Sequence, residues 1–203
     1  PFPSLIASPS SNSPLTLVSV SDPEVPLSSS ARISPVAPLF DPVTEGILHS
    51  KQLYAFSSDE GQTWSAWNEL VTPGLAGRAT TGPLVRWPDG TLAHAFESFK
   101  DYDDPRPGHH AAWLVLSRDG GQTFSLPLLV AQDPAHKVYY WDQRLCAAGP
   151  AGEYLALFWT HDLAQKRDLR VHLKRGSVHD AAPHAEPIVE TPLPGQIAAP
   201  LLL

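Results

Sequence analysis

The chain has 203 residues, of which 42% are hydrophobic and 17% charged, so it can bury a core and is not compositionally disordered. The formal charge of −7 disfavours nucleic acid as a partner, because phosphate contacts need clustered Lys and Arg. No apolar run approaches the roughly 20 residues of a membrane helix, so no membrane partner is expected. No signal peptide is visible in the sequence. A single cysteine excludes an internal disulfide and leaves the compartment open between extracellular, periplasmic and cytoplasmic.

The 22 prolines and the short β-branched and aromatic clusters between turn residues are typical of an all-β protein. Residues 1–30 are rich in Ser and Pro and are predicted to be a lead-in; alternatively, the alternating "LTLVSVS" supplies an outer or closing strand. A first structural unit is predicted at about 31–74, with its first two strands between Ala31 and Ser50 and a turn from Ser57 to Trp64.

A repeat of about 60 residues organises the rest of the chain. The second unit covers about 75–133, and its predicted strands are "RATTGPLVRW", "TLAHAFE", "AAWLVLS" and "LPLLV". The third covers about 134–194, with predicted strands in "WDQRLCAAG", "EYLALFWTHD", "LRVHLKR" and "EPIVE". The final "GQIAAPLLL", residues 195–203, matches the first-strand position and is predicted to begin a further unit.

Units of four antiparallel strands repeated in this way predict a β-propeller, in which radial packing leaves only short sheet edges. About three such blades and one extra strand do not close a ring. We therefore expect missing blades or a second copy of the chain to complete the propeller, or else an open wedge with exposed edges.

One turn is written twice, as "SSDEGQTW" and "SRDGGQTF", with the pattern Ser-x-Asp-x-Gly-x-Thr-aromatic. Asp can accept hydrogen bonds from nearby backbone N–H groups, and Gly permits a positive φ angle. Hydroxyl groups tie the flanking strands, and the aromatic ring is expected to pack beneath the turn. The turn is therefore predicted to be structural, and its residues are Ser57, Asp59, Gly61, Thr63 and Trp64, then Ser117, Asp119, Gly121, Thr123 and Phe124.

This turn resembles the Asp-box, or bacterial neuraminidase repeat, of the sialidase superfamily. The resemblance implies a β-propeller, commonly a six-bladed ring, over residues 31–203. It also implies that the turns lie at the periphery, away from the active site. Propeller ligands usually bind at the end of the central channel, on inner strands and their connecting loops.

The segment "GRATTGPLVRWPDGTLAHAFE" is similar to the sialidase segment that carries a carboxylate-binding arginine, and the similarity places Arg78 at that position. The family's Arg-Ile-Pro reads Arg-Ala-Thr-Thr-Gly-Pro here, and Arg32 in "ARISP" is a second candidate. Arg144 matches on the next inner strand, and Glu97 is a further substrate-binding candidate at the end of "TLAHAFE". Guanidinium groups bind carboxylates through paired hydrogen bonds.

The loop "ESFKDYDDPRPGHH" occupies the place where sialidases carry an acid/base aspartate, which implies a catalytic role for Asp103 or Asp104. The alternative is a solvated acidic loop beside Arg106. His109 and His110 are candidate acid/base groups near neutral pH, with His110 the catalytic choice, or else surface polar residues.

Aromatic and acidic residues gather in "KVYYWDQRL" and "FWTHD", a composition that suits the stacking of sugar rings. At least one of the two tryptophans there is expected to be core. No ligand spacing supports a metal, and no cofactor is predicted. The substrate-binding candidates are Trp141, Asp142, His161 and Asp162.

The function predicted from the resemblance is that of an exo-glycosidase acting on sialic acid or another acidic sugar. The alternatives are a non-catalytic carbohydrate-binding propeller and a polysaccharide lyase on the same fold. The sialidase reaction uses a tyrosine–glutamate pair and three arginines drawn from blades all round the ring. We therefore expect that this chain alone does not complete that reaction. The expected partner is a glycan or an acidic sugar.

Overall fold

A computed structural model describes residues 15–20, 38–75, 77–196 and 200 of the chain. Within these ranges the protein is all-β, as predicted: three antiparallel sheets and a single 3-10 turn, Pro183–Ala185, with no α-helix. No helix in the described part is long and apolar enough to cross a membrane.

The first sheet has three strands in the order β1-β2-β3, namely Leu15–Val20, Lys51–Phe56 and Asn68–Leu70. β1 pairs with the whole of β2, from Leu15 opposite Phe56 to Val20 opposite Lys51. This differs from the expectation that the strands before β2 lie between Ala31 and Ser50. Residues 38–50 contain only isolated bridges at Phe40 and Ile47, and the neighbouring strand comes from "LTLVSVS" instead.

The second sheet has the order β4-β6-β7-β8, with β5 also paired to β6. The predicted strand "RATTGPLVRW" is broken in two, because Pro83 has no N–H to donate to a ladder. The other three strands of the unit form where they are predicted. The strands are β4 Gly77–Thr80, β5 Val85–Arg86, β6 Leu92–Phe99, β7 Ala111–Ser117 and β8 Leu128–Ala131.

The third sheet repeats this arrangement: β9 pairs along one side of β10, β12 pairs along the other side, and β13 pairs with β12. The short β11 continues the line of β12 at the far end of β10. The strands are β9 Val138–Ala147, β10 Glu153–Asp162, β11 Arg167–Asp168, β12 His172–Ser177 and β13 Ile188–Glu190. The predicted strand in 195–203 lies mostly outside the described residues.

Two apolar clusters hold consecutive sheets together, since alternate side chains of each strand point to opposite faces. One contains Tyr54 and Leu70 of the first sheet with Phe96 and Val115 of the second. The other joins the second and third sheets through residues that include Trp87, Leu114, Tyr154 and Phe158. The Trp87 indole also donates a hydrogen bond to the carbonyl of Glu153 across this junction, at 3.1 Å.

The repeated turns have nearly the same internal geometry in both copies. In the second, Thr123 donates its backbone N–H and its hydroxyl to the Asp119 carboxylate, and the Ser117 hydroxyl donates to the same group at 2.8 Å. Asp59 receives the corresponding bonds in the first copy. These donors, led by the threonine hydroxyl, lower the pKa of Asp119 to about 2, and they lower the pKa of Asp59 in the same way.

The aromatic residue differs between the two copies. Phe124 packs against the first cluster, whereas Trp64 is 39% exposed and its indole N–H donates to the carbonyl of Gly61. The glycines Gly61 and Gly121 have φ angles of 85° and 90°, which a side chain would strain. In the third sheet the turn after β12 has a different design, in which the Asp180 carboxylate accepts the N–H of Ser177.

Candidate functional site

A cavity of about 300 Å³ lies between the second and third sheets, at the strand end opposite the repeated turn. Its walls include the last residues of β6 and the bend in β9. The second copy of the repeated turn, by contrast, begins at Ser117, the last residue of β7. The lining residues are Phe40, Ile47, Gly77, Ala79, Glu97, Ser98, Phe99, His110, Trp141, Asp142 and Trp159.

Glu97 brings the first carboxylate into the cavity from the end of β6. His110, just before β7, lies opposite, and its Nε2 contacts Oε2 of Glu97. The side chain of His110 is 3% exposed and that of Glu97 16% exposed, so the pair is largely shielded from water. The His110 ring also packs against Tyr139, with centroids 5.5 Å apart. Packing on one side and hydrogen bonding on the other fix the Glu97 carboxylate in place.

A β-bulge brings the second carboxylate into the same cavity. Between the pairs Trp141–Trp159 and Arg144–Leu157, β9 carries two residues where β10 carries one. The bulge places Asp142 at φ 51°, a left-handed conformation that Asp tolerates better than most residues. Successive residues of a regular strand face opposite ways, but here Trp141 and Asp142 both line the cavity.

The charge state of Asp142 follows from its surroundings. Burial raises the pKa of its carboxyl group, and the negative charge of Glu97 adds to that rise. The Arg144 guanidinium opposes the rise, because its Nη2 lies 3.3 Å from Oδ1 of Asp142. Two carboxylates facing one poorly hydrated cavity disfavour double ionisation. Burial and the charge of Glu97 therefore make Asp142 hold a proton more tightly than a carboxyl group in water does.

Aromatic rings form one side of the site. Trp141 and Trp159 meet edge to face with centroids 4.8 Å apart, and His161 stacks on Trp141 at 5.5 Å. His161 is held by a 2.8 Å contact from its Nδ1 to Oδ1 of Asp168. The predicted residues Trp141 and His161 thus lie together, although His161 stands behind the indole and outside the cavity wall.

Other predicted residues lie elsewhere. Asp103 is exposed, and Asp104 pairs with Arg106 at 2.6 Å, which holds the pKa of the Asp104 carboxyl well below its usual range. A carboxyl group so strongly ionised is a poor proton donor. His109 packs against His136 and is not part of the cavity wall. Asp162 accepts the backbone N–H of Gln165 at 2.9 Å.

Arg78 is buried and faces away from the cavity. Its guanidinium donates to the Thr72 hydroxyl at 2.7 Å and to the carbonyl of Ser50, and its backbone N–H donates to the Ser50 hydroxyl at 2.8 Å. Its neighbours on β4, Gly77 and Ala79, line the cavity, so strand alternation directs Arg78 to the opposite face. These contacts tie β4 to Ser50, just before β2, and to Thr72, just after β3. Arg32 lies outside the described residues.

The cavity also uses residues that the sequence pattern did not single out, among them Phe40, Ile47 and Phe99. Ile47 comes so near β4 that a Cβ on Gly77 would lie 1.7 Å from its Cγ2, so the position requires glycine. The unpatterned segment before β2 gave no signal for this contact. Within the described part of the chain no group of three or more His, Cys, Asp or Glu side chains is placed to hold a metal ion.

The geometry supplies an aromatic wall, a carboxyl group whose pKa is raised by burial, and a second carboxylate held by a histidine. Aromatic faces pack against the C–H faces of sugar rings, and most glycosidases cleave the glycosidic bond with a pair of carboxyl groups. The site is therefore suited to binding a sugar and to acid/base chemistry on it.

No protein-family model and no curated protein matches the chain in sequence. Among solved structures, it is similar to the "Hadza microbial sialidase Hz136", with a TM-score of 0.55 and 16% identity over 89% of this chain and 30% of that one. It is also similar to a protein of unknown function from Dyadobacter fermentans, with a TM-score of 0.53 and 17% identity over 85% of this chain and 45% of that one. The chain spans less than half the length of either, and the likeness shows a sialidase-like fold.

Proposed function

We propose that the cavity between the second and third sheets binds a glycan and cleaves a glycosidic bond. The observation that carries the proposal is the meeting of Glu97 and Asp142 at one aromatic-walled cavity, with the pKa of Asp142 raised chiefly by burial. Raising one carboxyl pKa while a second group stays ionised is how glycosidases separate the proton donor from its partner carboxylate.

In this mechanism the sugar ring packs against Trp141 and Trp159. Asp142 donates its proton to the leaving glycosidic oxygen, and Arg144 stabilises the carboxylate that remains. Glu97, held by His110, faces the positive charge that develops at the anomeric carbon. A water molecule then bonds to the anomeric carbon and gives its proton to Glu97, and proton exchange with solvent restores both carboxyl groups. This route relies on two carboxyl groups and needs neither a tyrosine nucleophile nor an arginine cluster.

The propeller is part of the proposal. Three successive sheets, each packed on the next through an apolar cluster, have the arrangement of consecutive blades, and the two repeated turns have the hydrogen bonding expected of Asp-boxes. We propose a six-bladed ring, completed by further blades or by a second copy of the chain.

A non-catalytic carbohydrate-binding propeller is the second candidate. It is favoured by the positions of Arg78 and Asp104, to which the family resemblance assigns substrate binding and catalysis. Both are committed to partners within the protein, Arg78 to Thr72 and Asp104 to Arg106. In this reading the aromatic wall binds sugar and the carboxylates only hydrogen-bond its hydroxyl groups.

The test is release of 4-methylumbelliferone from a panel of its glycosides, combined with quenching of tryptophan fluorescence by the free sugars. We expect Asp142→Asn to lower the hydrolysis rate at least about 100-fold, the usual contribution of general acid catalysis, while sugar binding is retained. Asp104→Asn, which removes a carboxylate outside the cavity, serves as the matched control and is expected to keep full activity.

The outcomes separate the candidates. Quenching without hydrolysis by any glycoside would support the binding propeller. Absence of both quenching and hydrolysis would overturn the proposal. Loss of activity in Asp104→Asn, with Asp142→Asn still active, would assign the chemistry to the loop and not to the cavity.

A further inference from the structure

We infer that the sugar unit held in this cavity carries no carboxylate, so that the substrate is a neutral glycan terminus and not a sialic or uronic acid. The inference rests on the proposed function and narrows its substrate class. It departs from the acidic sugar that the family resemblance implies, and the charges around the cavity carry it.

Apart from His110, the ionisable residues of the cavity wall are acidic. Glu97 and Asp142 are its acidic residues, and none of its described lining residues is a lysine or an arginine. Both acidic groups line one cavity, where the negative charge of Glu97 disfavours a second negative charge on Asp142. A substrate carboxylate would meet the same repulsion from Glu97, whether or not Asp142 is protonated.

Within the described residues, the cationic groups on the elements around the cavity are already engaged. The Arg144 guanidinium pairs with Asp142 at 3.3 Å, and His110 is bonded to Glu97. Arg78, on the adjacent β4, directs its guanidinium to Thr72 and Ser50 on the opposite face. Lys100, which follows β6, donates to the carbonyl of Arg106 at 2.7 Å.

The remaining wall is largely apolar, with Phe40, Ile47, Ala79 and Phe99 facing the two tryptophans. A carboxylate moved from water to such a wall would lose hydration without gaining a cationic partner, which is costly. A neutral sugar meets no such penalty. Its C–H faces pack against the aromatic rings, and its hydroxyl groups donate hydrogen bonds to the carboxylates.

The test compares sugars that differ only at C6, where a CH₂OH group is replaced by a carboxylate. Methyl glucoside and methyl galactoside are each titrated against the corresponding uronide by tryptophan fluorescence, with Trp141→Phe identifying the signal that comes from the cavity. We expect the neutral member of the preferred pair to bind about tenfold more tightly, an order-of-magnitude allowance for repulsion at this range.

A charge-removal variant sharpens the comparison. Glu97→Gln is expected to weaken the preference for the neutral member, because it removes one source of repulsion and leaves the shape of the wall. Asp104→Asn, the same change of net charge outside the cavity, should leave the preference as it is. Raising the salt concentration should narrow the preference only slightly, since largely buried charges are poorly screened.

The results also distinguish this inference from the proposed function. If a uronide or a sialoside binds as tightly as its neutral partner or is cleaved faster, the inference is wrong and the glycan-processing function stands. If no member of either pair quenches the fluorescence and no glycoside is cleaved, both are wrong.

Discussion

The ring of Tyr54 on β2 packs edge to face against Phe124 of the second repeated turn, with centroids 5.3 Å apart and an interplanar angle of 73°. The turn that closes the second sheet is thereby anchored in the cluster that joins it to the first. Trp64 holds the equivalent place in the first turn but is 39% exposed. Two copies of one motif therefore differ in how much they contribute to the packing of the sheets.

The first prediction follows from this difference. Phe124→Ala should lower the free energy of unfolding by about 2 kcal/mol, because it removes a ring packed against a buried apolar cluster. Trp64→Ala should cost under about 1 kcal/mol, although it removes the larger ring. Urea denaturation of both variants measures the two values. A greater loss in Trp64→Ala than in Phe124→Ala would contradict the packing described for the two turns.

The second prediction concerns acid stability. Asp119 has a folded-state pKa of about 2, below its ordinary value of 3.8, so it stabilises the fold above pH 3.8 and loses that effect as the pH falls towards 2. Asp119→Asn, which cannot carry the charge, should be less stable than the wild type at pH 7. The difference should shrink between pH 4 and pH 2 in thermal melts, and a difference that stays constant with pH would exclude this origin.

The regular strands could be predicted from the sequence because their pattern is local. "EYLALFWTHD" and "AAWLVLS" are bounded by turn residues and correspond to β10 and β7 residue for residue. The strand pairing of the first sheet could not be predicted, because Leu15–Val20 and Lys51–Phe56 are joined by a long connection with no pattern of its own. Non-local pairing of this kind leaves little trace in local composition.

The residues of the candidate site could be predicted from the sequence, but their meeting in one cavity could not. Glu97, His110, Trp141 and Asp142 come from separate segments, and each was a candidate from its residue type and strand position. That they share a cavity depends on the bulge at Asp142, which no glycine marks within β9. The engagement of Asp104 by Arg106, by contrast, was visible in the sequence as a charge two residues away.

The third prediction concerns a buried histidine. His94 on β6 is fully buried, neither ring nitrogen has a hydrogen-bond partner within the described structure, and burial lowers its pKa from 6.5 to about 3. The unfolded chain therefore binds a proton that the folded protein does not, and stability should fall as the pH drops from 6.5 towards 3.

His94→Leu should remove this sensitivity, because it replaces an unpaired polar ring with an apolar group of similar size. Melting temperatures measured from pH 7 to pH 4 test the expectation: the wild type should lose more stability than the variant over this range. Parallel curves for the two proteins would show that His94 is not responsible.

The fourth prediction separates a structural arginine from a substrate-binding one. Arg78→Met keeps much of the side-chain volume but loses the hydrogen bonds to Thr72 and Ser50, so it should lower the free energy of unfolding by about 2 kcal/mol. Sugar affinity, measured by fluorescence quenching below the melting transition, should be unchanged. Weakened sugar binding in a folded Arg78→Met protein would instead return Arg78 to the binding site.

The last prediction concerns the pH dependence of glycoside cleavage. Asp142 must be protonated to act as an acid, so the rate should fall as the pH rises through its raised pKa. Burial is the main cause of that rise, and the Arg144 guanidinium at 3.3 Å opposes it. Arg144→Met removes the opposing charge, while Glu97 and His110 remain opposite, so the alkaline limb of the rate profile should move to higher pH.

A shift of that limb would not follow from a merely structural role, since loss of fold lowers the rate at every pH without moving the profile. Asp104→Asn is the control, because its carboxylate lies outside the cavity wall and its loss should leave the limb in place. Movement of the limb to lower pH in Arg144→Met would contradict the electrostatic account, because removing a neighbouring positive charge can only make the carboxyl group hold its proton more tightly.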